Sequence, residues 1–304
     1  MSKYNYDKQL KIRGKAFLVK GLLPIANAVI SVLPKGLDKK QVVFRNLCLD
    51  GLKLHTVTSK NLTSTPDLPC LLYIHGGGFG YKESFVQYKC EQAFSVGAGC
   101  RVVGVDYPLL PKNVYPSAIE YVLRAYEAIV AHADELGVDP TKIAVGGDSA
   151  GGSLATELAY ALAERNIVEP IGVMLVYPVV DGKQRPSMLK YNDVPFWDSV
   201  CNKKMWKWYL NGADYVSPID RTIKPTIKNL FVETEEYDCL HDEGVALYQT
   251  LAPLAENAVL VDNKGTFHGY DVNFKADIVQ QSIQKRVAFL KNIFTNQTTS
   301  IKSE

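Results

Sequence analysis

The chain has no excess of charge of either sign. Its 34 lysines and arginines are spread against 32 aspartates and glutamates, a formal net charge of +2. Such a balance supplies no field to gather phosphate backbones or anionic lipid, so nucleic acid is not an expected partner. Cysteine is also scarce. The six thiols, Cys48, Cys70, Cys90, Cys100, Cys201 and Cys239, include no C-x-x-C pair and no metal-like spacing, and several sit inside apolar runs. They read as reduced and mostly buried. Internal repeats, low-complexity tracts and long Gly/Ser linkers are missing, which argues against a repeat protein and against two independently folding domains.

No unbroken apolar run reaches the length of about 20 residues that a bilayer requires. The nearest approach, Ala16 to Leu33, even mimics a cleavage site at Ala26-Asn27-Ala28, but Lys20 and Pro24 interrupt it and a polar lead from Met1 to Lys15 precedes it. The expectation is an amphipathic helix, no stable membrane insertion, and a cytoplasmic protein.

What the chain does have is bulk: 304 residues, 47% of them hydrophobic, enough to bury a large core as one domain spanning 1–304. From Gln41 onward, apolar runs of strand length alternate with helical stretches, the pattern of a sheet wrapped by crossover helices. Val42 to Leu49 and Leu52 to Thr58 flank Asp50-Gly51, a dipeptide suited to a tight hairpin, so the sheet opens antiparallel. The later runs are Cys70 to Ile74, Arg101 to Val105, Ile143 to Val145, Gly172 to Tyr177, Leu230 to Thr234 and Ala258 to Val261. They are short and mostly non-alternating, as in strands buried on both faces of a parallel sheet. Ser117-Ala118-Ile119-Glu120 fits a capping box and predicts a helix from there to about Ala133. The fold class is α/β, with a mostly parallel central sheet of about eight strands and helices on both faces. Two stretches fit poorly, the first to about Lys40 and the second from Asp181 to Val216, and together they predict a small helical cap. The second holds all three tryptophans, Trp197, Trp206 and Trp208. They either fill the cap's core or touch substrate, and Phe196, Trp197 and Trp208 hint at an apolar acyl or alcohol pocket.

The chemistry is concentrated in a few motifs. Lys142 to Gly152 reads strand, then Gly147-Asp148-Ser149-Ala150-Gly151, then helix, which is the context a nucleophile elbow needs. Small residues two before and two after the serine let the backbone turn sharply, and the helix starting at Ala150 aims its positive end at the reacting oxygen. His75-Gly76-Gly77-Gly78-Phe79 follows the strand Cys70 to Ile74 directly. Backbone amides in such a run can hold the oxyanion of an acyl-transfer transition state, and Gly77, Gly78 and Ala150 are assigned that role.

A serine hydroxyl needs a base, and the chain offers five histidines. His75 belongs to the glycine loop, and His55 and His132 precede the elbow, against the chain order of serine, acid, histidine. His241 crowds the acid candidates. His268, in a loop after the last strand, remains as the base. Glu233, Glu235, Glu236, Asp238, Asp242 and Glu243 surround the position of the acid. Spacing favours Asp238, with Asp242 better placed to cap the helix that follows.

These residues resemble the bacterial esterases of the hormone-sensitive lipase family, over about Leu71 to Tyr270. The likeness rests on HGGGF at His75 to Phe79 and GDSAGG at Gly147 to Gly152. Asp106-Tyr107, Tyr115-Pro116-Ser117-Ala118, Ser217-Pro218-Ile219, Asp238-x-Leu240-x-Asp242-Glu243-Gly244 and Phe267-His268-Gly269-Tyr270 extend it. The resemblance implies an α/β-hydrolase fold, Asp238 as the acid, and hydrolysis of short or medium acyl esters beneath a helical cap without metal or cofactor. Pro108 and Lys112 stand where arginine and glutamate are usual, and the resemblance therefore implies a weakened structural salt bridge and different packing around the oxyanion loop. Ser153 replaces a usual asparagine, and Lys224-Pro225-Thr226 a double proline. The expected activity is that of a serine carboxylesterase on a small-molecule ester. An amidase or peptidase using the same residues, and a binding protein on the same scaffold, are the other readings. A homodimer is left open.

Overall fold

The computed structural model describes residues 3–11, 14–15 and 18–295. Its centre is a sheet of eight strands in the order β1-β2-β4-β3-β5-β6-β7-β8. The strands are β1 (Val42–Leu49), β2 (Leu52–Ser59), β3 (Leu68–Ile74), β4 (Arg101–Val105), β5 (Val138–Asp148), β6 (Gly172–Val176), β7 (Ile227–Glu235) and β8 (Ala255–Asn263). Asp50 and Gly51, both at positive φ, turn the opening hairpin, and β2 lies antiparallel to β1 and to β4. From β4 to β8 every pairing is parallel.

The helices are α1 (Leu23–Val32), α2 (Phe85–Ala98), α3 (Ser117–Ala131), α4 (Ala133–Leu136), α5 (Ala150–Arg165), α6 (Pro186–Lys190), α7 (Ser199–Leu210), α8 (His241–Leu251) and α9 (Asp277–Thr295). Strand side chains alternate between two cores. Leu71 and Tyr73 of β3 join Phe94 of α2 and Ile283 and Leu290 of α9 on one face. Cys70, Leu72 and Ile74 join Val122 of α3, Leu154 of α5 and Leu247 of α8 on the other. The cysteines are free thiols, five buried and Cys48 exposed.

Three local expectations give way. The Ser117 capping box does not form: Pro116 occupies the cap position, so Ser117 is already the first helical residue and its hydroxyl comes one position too late to reach a free amide. Such a box forms instead at Ser84 and Gln87, at the start of α2. Asp242 does not cap α8. It lies within the first turn, where its carboxylate accepts from the Ser187 amide at 2.8 Å and approaches His241 Nδ1 at 2.9 Å. The segment from Ala16 to Leu33, of which residues 16 and 17 lie outside the described ones, does contain a helix, but α1 carries no charged residue and is apolar on more than one side. Leu23 is buried while Ile25, Val29 and Val32 are exposed. No described helix is long and apolar enough to cross a membrane.

Candidate active site

β5 ends at Asp148 and α5 begins at Ala150, leaving Ser149 alone on the turn with φ 54° and ψ −117°. This is strained backbone for a residue with a side chain, and it is held by neighbours that admit none. A Cβ on Gly151 would collide with the carbonyl of Ile74, and one on Gly147 with the backbone of Gly151. The Ser149 amide is tied to the Val176 carbonyl at 2.9 Å.

The structure brings the three predicted side chains together. Ser149 Oγ is 2.8 Å from His268 Nε2, and His268 Nδ1 is 2.7 Å from Asp238 Oδ2. All three are buried, at 6%, 3% and 0% exposure respectively. The second Asp238 oxygen accepts from the Leu240 amide at 2.9 Å, which fixes the carboxylate's orientation. The other histidines are engaged elsewhere: His55 with Glu91, His75 with the Gly76 carbonyl, His132 with Asp50 and Glu135, and His241 with Asp242 and Asp262.

Gly77 and Gly78 take φ values of 113° and 59° and share a cavity of about 330 Å³ with Ser149 and His268. Ala150, as the first residue of α5, offers an amide that no earlier helical carbonyl claims. The Ala150 amide at the positive end of this 16-residue helix, beside a glycine run that lines the same cavity, suits an oxygen that gains negative charge.

The loop's shape comes from a group the motif reading passed over. Asp148 Oδ1 accepts from the Gly76 amide at 3.0 Å and the Tyr73 hydroxyl at 2.9 Å, and Oδ2 accepts from Gln87 Nε2 at 3.1 Å. One carboxylate thus joins the elbow to the glycine run. The sequence signal was the aspartate inside GDSAGG. Where Pro108 and Lys112 depart from the family pattern, neighbours brace the same loop: the Tyr107 hydroxyl donates to the His75 carbonyl at 2.8 Å, and the Leu110 amide to the Phe79 carbonyl at 2.8 Å.

Behind His268 lies a second network that spacing did not reveal. Tyr177 meets the imidazole edge-on at 4.7 Å between centroids and donates to Asp271 at 2.7 Å. Arg286 of α9 pairs with Glu233 at 2.5 Å and Asp271 at 3.4 Å, and Tyr270 donates to Glu233 at 3.0 Å. The buried guanidinium holds the Glu233 carboxyl below its ordinary range against the upward push of burial. Of the tryptophans, Trp197 lines the cavity with Phe196, whereas Trp206 and Trp208 pack in the core.

The segment 71–272 matches the family model described as alpha/beta hydrolase fold. The chain belongs to that family. Among curated relatives of this hydrolase, the carboxylesterase NlhH of Mycobacterium tuberculosis is 34% identical over 221 residues, 68% of each chain. The ethyl acetate hydrolase of Pseudomonas putida is 30% identical over 240 residues, 73% of this chain and 76% of its own. Among solved structures, a bacterial heroin esterase superimposes with a TM-score of 0.80 at 26% identity, covering 95% of this chain and 98% of its own. The resemblance drawn from the two glycine-rich motifs therefore holds, and so does the fold class.

Proposed function

We propose that this hydrolase is a serine carboxylesterase that cleaves short to medium acyl esters through an acyl-enzyme on Ser149. The observation that carries the reading is the unbroken chain from Ser149 Oγ to His268 Nε2 at 2.8 Å and from His268 Nδ1 to Asp238 at 2.7 Å, opening on an apolar cavity. The relatives' names point the same way: carboxylesterase, ethyl acetate hydrolase and acetyl esterase.

Ser149 attacks the ester carbonyl as His268 Nε2 takes its proton, and Asp238 steadies the imidazolium. The tetrahedral oxygen is held by the amides of Gly77, Gly78 and Ala150. His268 returns the proton to the departing alcohol, and water repeats the sequence on the acyl-enzyme. No metal or cofactor enters these steps. All the groups named lie on one chain, so the mechanism needs no second copy. We place the protein in the cytoplasm, where six unpaired cysteines stay reduced.

We further propose that the chain is one domain whose cap is formed by about residues 1–40 and 181–216. Supporting this, Ile30 from the first segment and Phe196 and Trp197 from the second line the cavity together. The two segments are also tied to each other, by Lys15 and Asp198 at 2.8 Å, by Tyr4 and Asp193 at 2.6 Å, and by the Phe196 amide on the Gly14 carbonyl at 3.0 Å.

The test is hydrolysis of a chromogenic ester series from acetyl to long acyl chains, with matched amides and Ser149→Ala alongside. The expected result is turnover concentrated at short chains, negligible on amides, and lost by orders of magnitude in the variant. Amide turnover equal to ester turnover would move the assignment to an amidase, and no turnover on either would move it to a binding protein.

A further inference from the structure

His55 on β2, Glu91 on α2 and Glu83, in the stretch joining the glycine run to α2, bring one imidazole nitrogen and two carboxylates together. His55 Nε2 is 2.9 Å from Glu91 Oε2 and 3.6 Å from Glu83 Oε2. One donor atom from each of the three lies within 4.8 Å of the others. Around a tetrahedral ion with bonds of about 2.0–2.2 Å, neighbouring nitrogen and oxygen donors stand about 3.3–3.6 Å apart, so Glu83 already stands at such a distance from His55 and Glu91 has to draw back by a few tenths of an ångström.

The side chains of His55, Glu83 and Glu91 are exposed by 8%, 8% and 0%. Glu83 Oε1 is buried with no hydrogen-bond partner among the described residues. No lysine or arginine among the described residues pairs with either carboxylate; Lys35, which lines the adjoining cavity, is held instead by the Tyr88 hydroxyl at 2.6 Å. Two buried carboxylates need positive charge close by; Lys35 acts on Glu91 from a distance without pairing with it, and the imidazole is a poor further supply. Space is reserved as well. A Cβ on Gly104 of β4 would run into the His55 ring and the Glu91 carboxylate. The cavity, about 330 Å³ and lined by His55, Glu83, His75 and Asp106, leaves room for water as a fourth ligand.

The geometry points to a structural site for a divalent first-row cation, zinc in type, held by His55 Nε2, Glu83 and Glu91. Mixed imidazole and carboxylate donors suit such an ion better than magnesium or calcium, which take oxygen alone. Binding exchanges the His55–Glu91 hydrogen bond for two metal bonds and releases the shared proton to solvent. The ion joins β2, α2 and the segment carrying Gly77 and Gly78, and so stiffens the oxyanion loop from behind. It takes no part in the ester chemistry and stands independently of that reading.

The test strips the full-length protein with a chelator and titrates zinc chloride against a chromophoric competitor. One equivalent binds, Tm rises by about 5 °C at zinc 100-fold above Kd, and Glu83→Gln weakens binding by at least about 30-fold. His241→Gln, a control at a half-buried histidine engaged with Asp242 and Asp262, leaves the affinity unchanged. Anomalous scattering from zinc-loaded wild-type crystals needs no variant and places its peak among His55, Glu83 and Glu91. No bound equivalent, full affinity in Glu83→Gln, or a peak elsewhere overturns the site.

Discussion

Replacing Asp238 by asparagine removes one charge and almost no volume, which makes it a sharp probe of the proposed chemistry. The carboxylate is fully buried and lies 2.7 Å from His268 Nδ1. When the histidine takes the serine proton, a full positive charge forms about 4 Å from the carboxylate's centre. At an effective dielectric of about 20, that attraction is about 4 kcal/mol, or roughly 10³ in rate. Asparagine adds a second penalty. Its amide nitrogen, if turned toward Nδ1, donates there and moves the imidazole proton to Nε2, where it faces Ser149 Oγ and leaves no lone pair to act as base. The combined expectation is a fall in kcat of about 10³ to 10⁴. The assay is steady-state hydrolysis of a short-chain chromogenic ester, with melting curves run beside it and Asp242→Asn as a control that keeps near-normal turnover. A loss below about tenfold in a variant that melts like the wild type would refute the role given to Asp238.

Two further outcomes follow from groups around the site. Burial holds the His75 imidazole down from 6.5 to about 4. As pH falls through 6.5 the unfolded chain takes up a proton there that the folded chain refuses until about 4. Stability is therefore lost across that window, by about 3 kcal/mol at its lower end. Urea midpoints between pH 7 and pH 4.5 measure it; His75→Gln flattens the profile, and an identical slope in both proteins would dismiss the explanation. Trp197→Ala opens the cavity beside Gly78, where the indole now lies 2.6 Å from the place a Cβ would take. Longer acyl chains gain, by up to about 0.8 kcal/mol, or fourfold in kcat/KM, for each added methylene the space accepts. A ratio of octanoate to butyrate turnover that does not move would put Trp197 outside the acyl side of the pocket.

Much of this arrangement could be read from the chain because local rules and the global fold agree there. All eight strands were marked by apolar runs, and the hairpin by Asp50-Gly51, since buried parallel strands tolerate little else. The elbow was legible because its geometry forbids side chains at Gly147 and Gly151, and the histidine beside Ser149 because elimination left one after the last strand. What stayed hidden depends on partners remote in sequence. The brace at Asp148, the Arg286 network and the cluster at His55, Glu83 and Glu91 each join elements that no spacing relates. The capping box failed at Ser117 because Pro116 moved the helix start by one residue, a shift that composition does not encode.

The network behind His268 also sets a schedule. The base follows the serine by 119 residues, and the guanidinium that pins its loop comes later still, on α9. On the proposed mechanism, a chain emerging from the ribosome thus carries the Ser149 hydroxyl well before the base that takes its proton is made. The hydroxyl remains an ordinary alcohol until His268 is in place beside it. The proposed hydrolytic chemistry therefore arrives only once the late part of the chain has joined the early part.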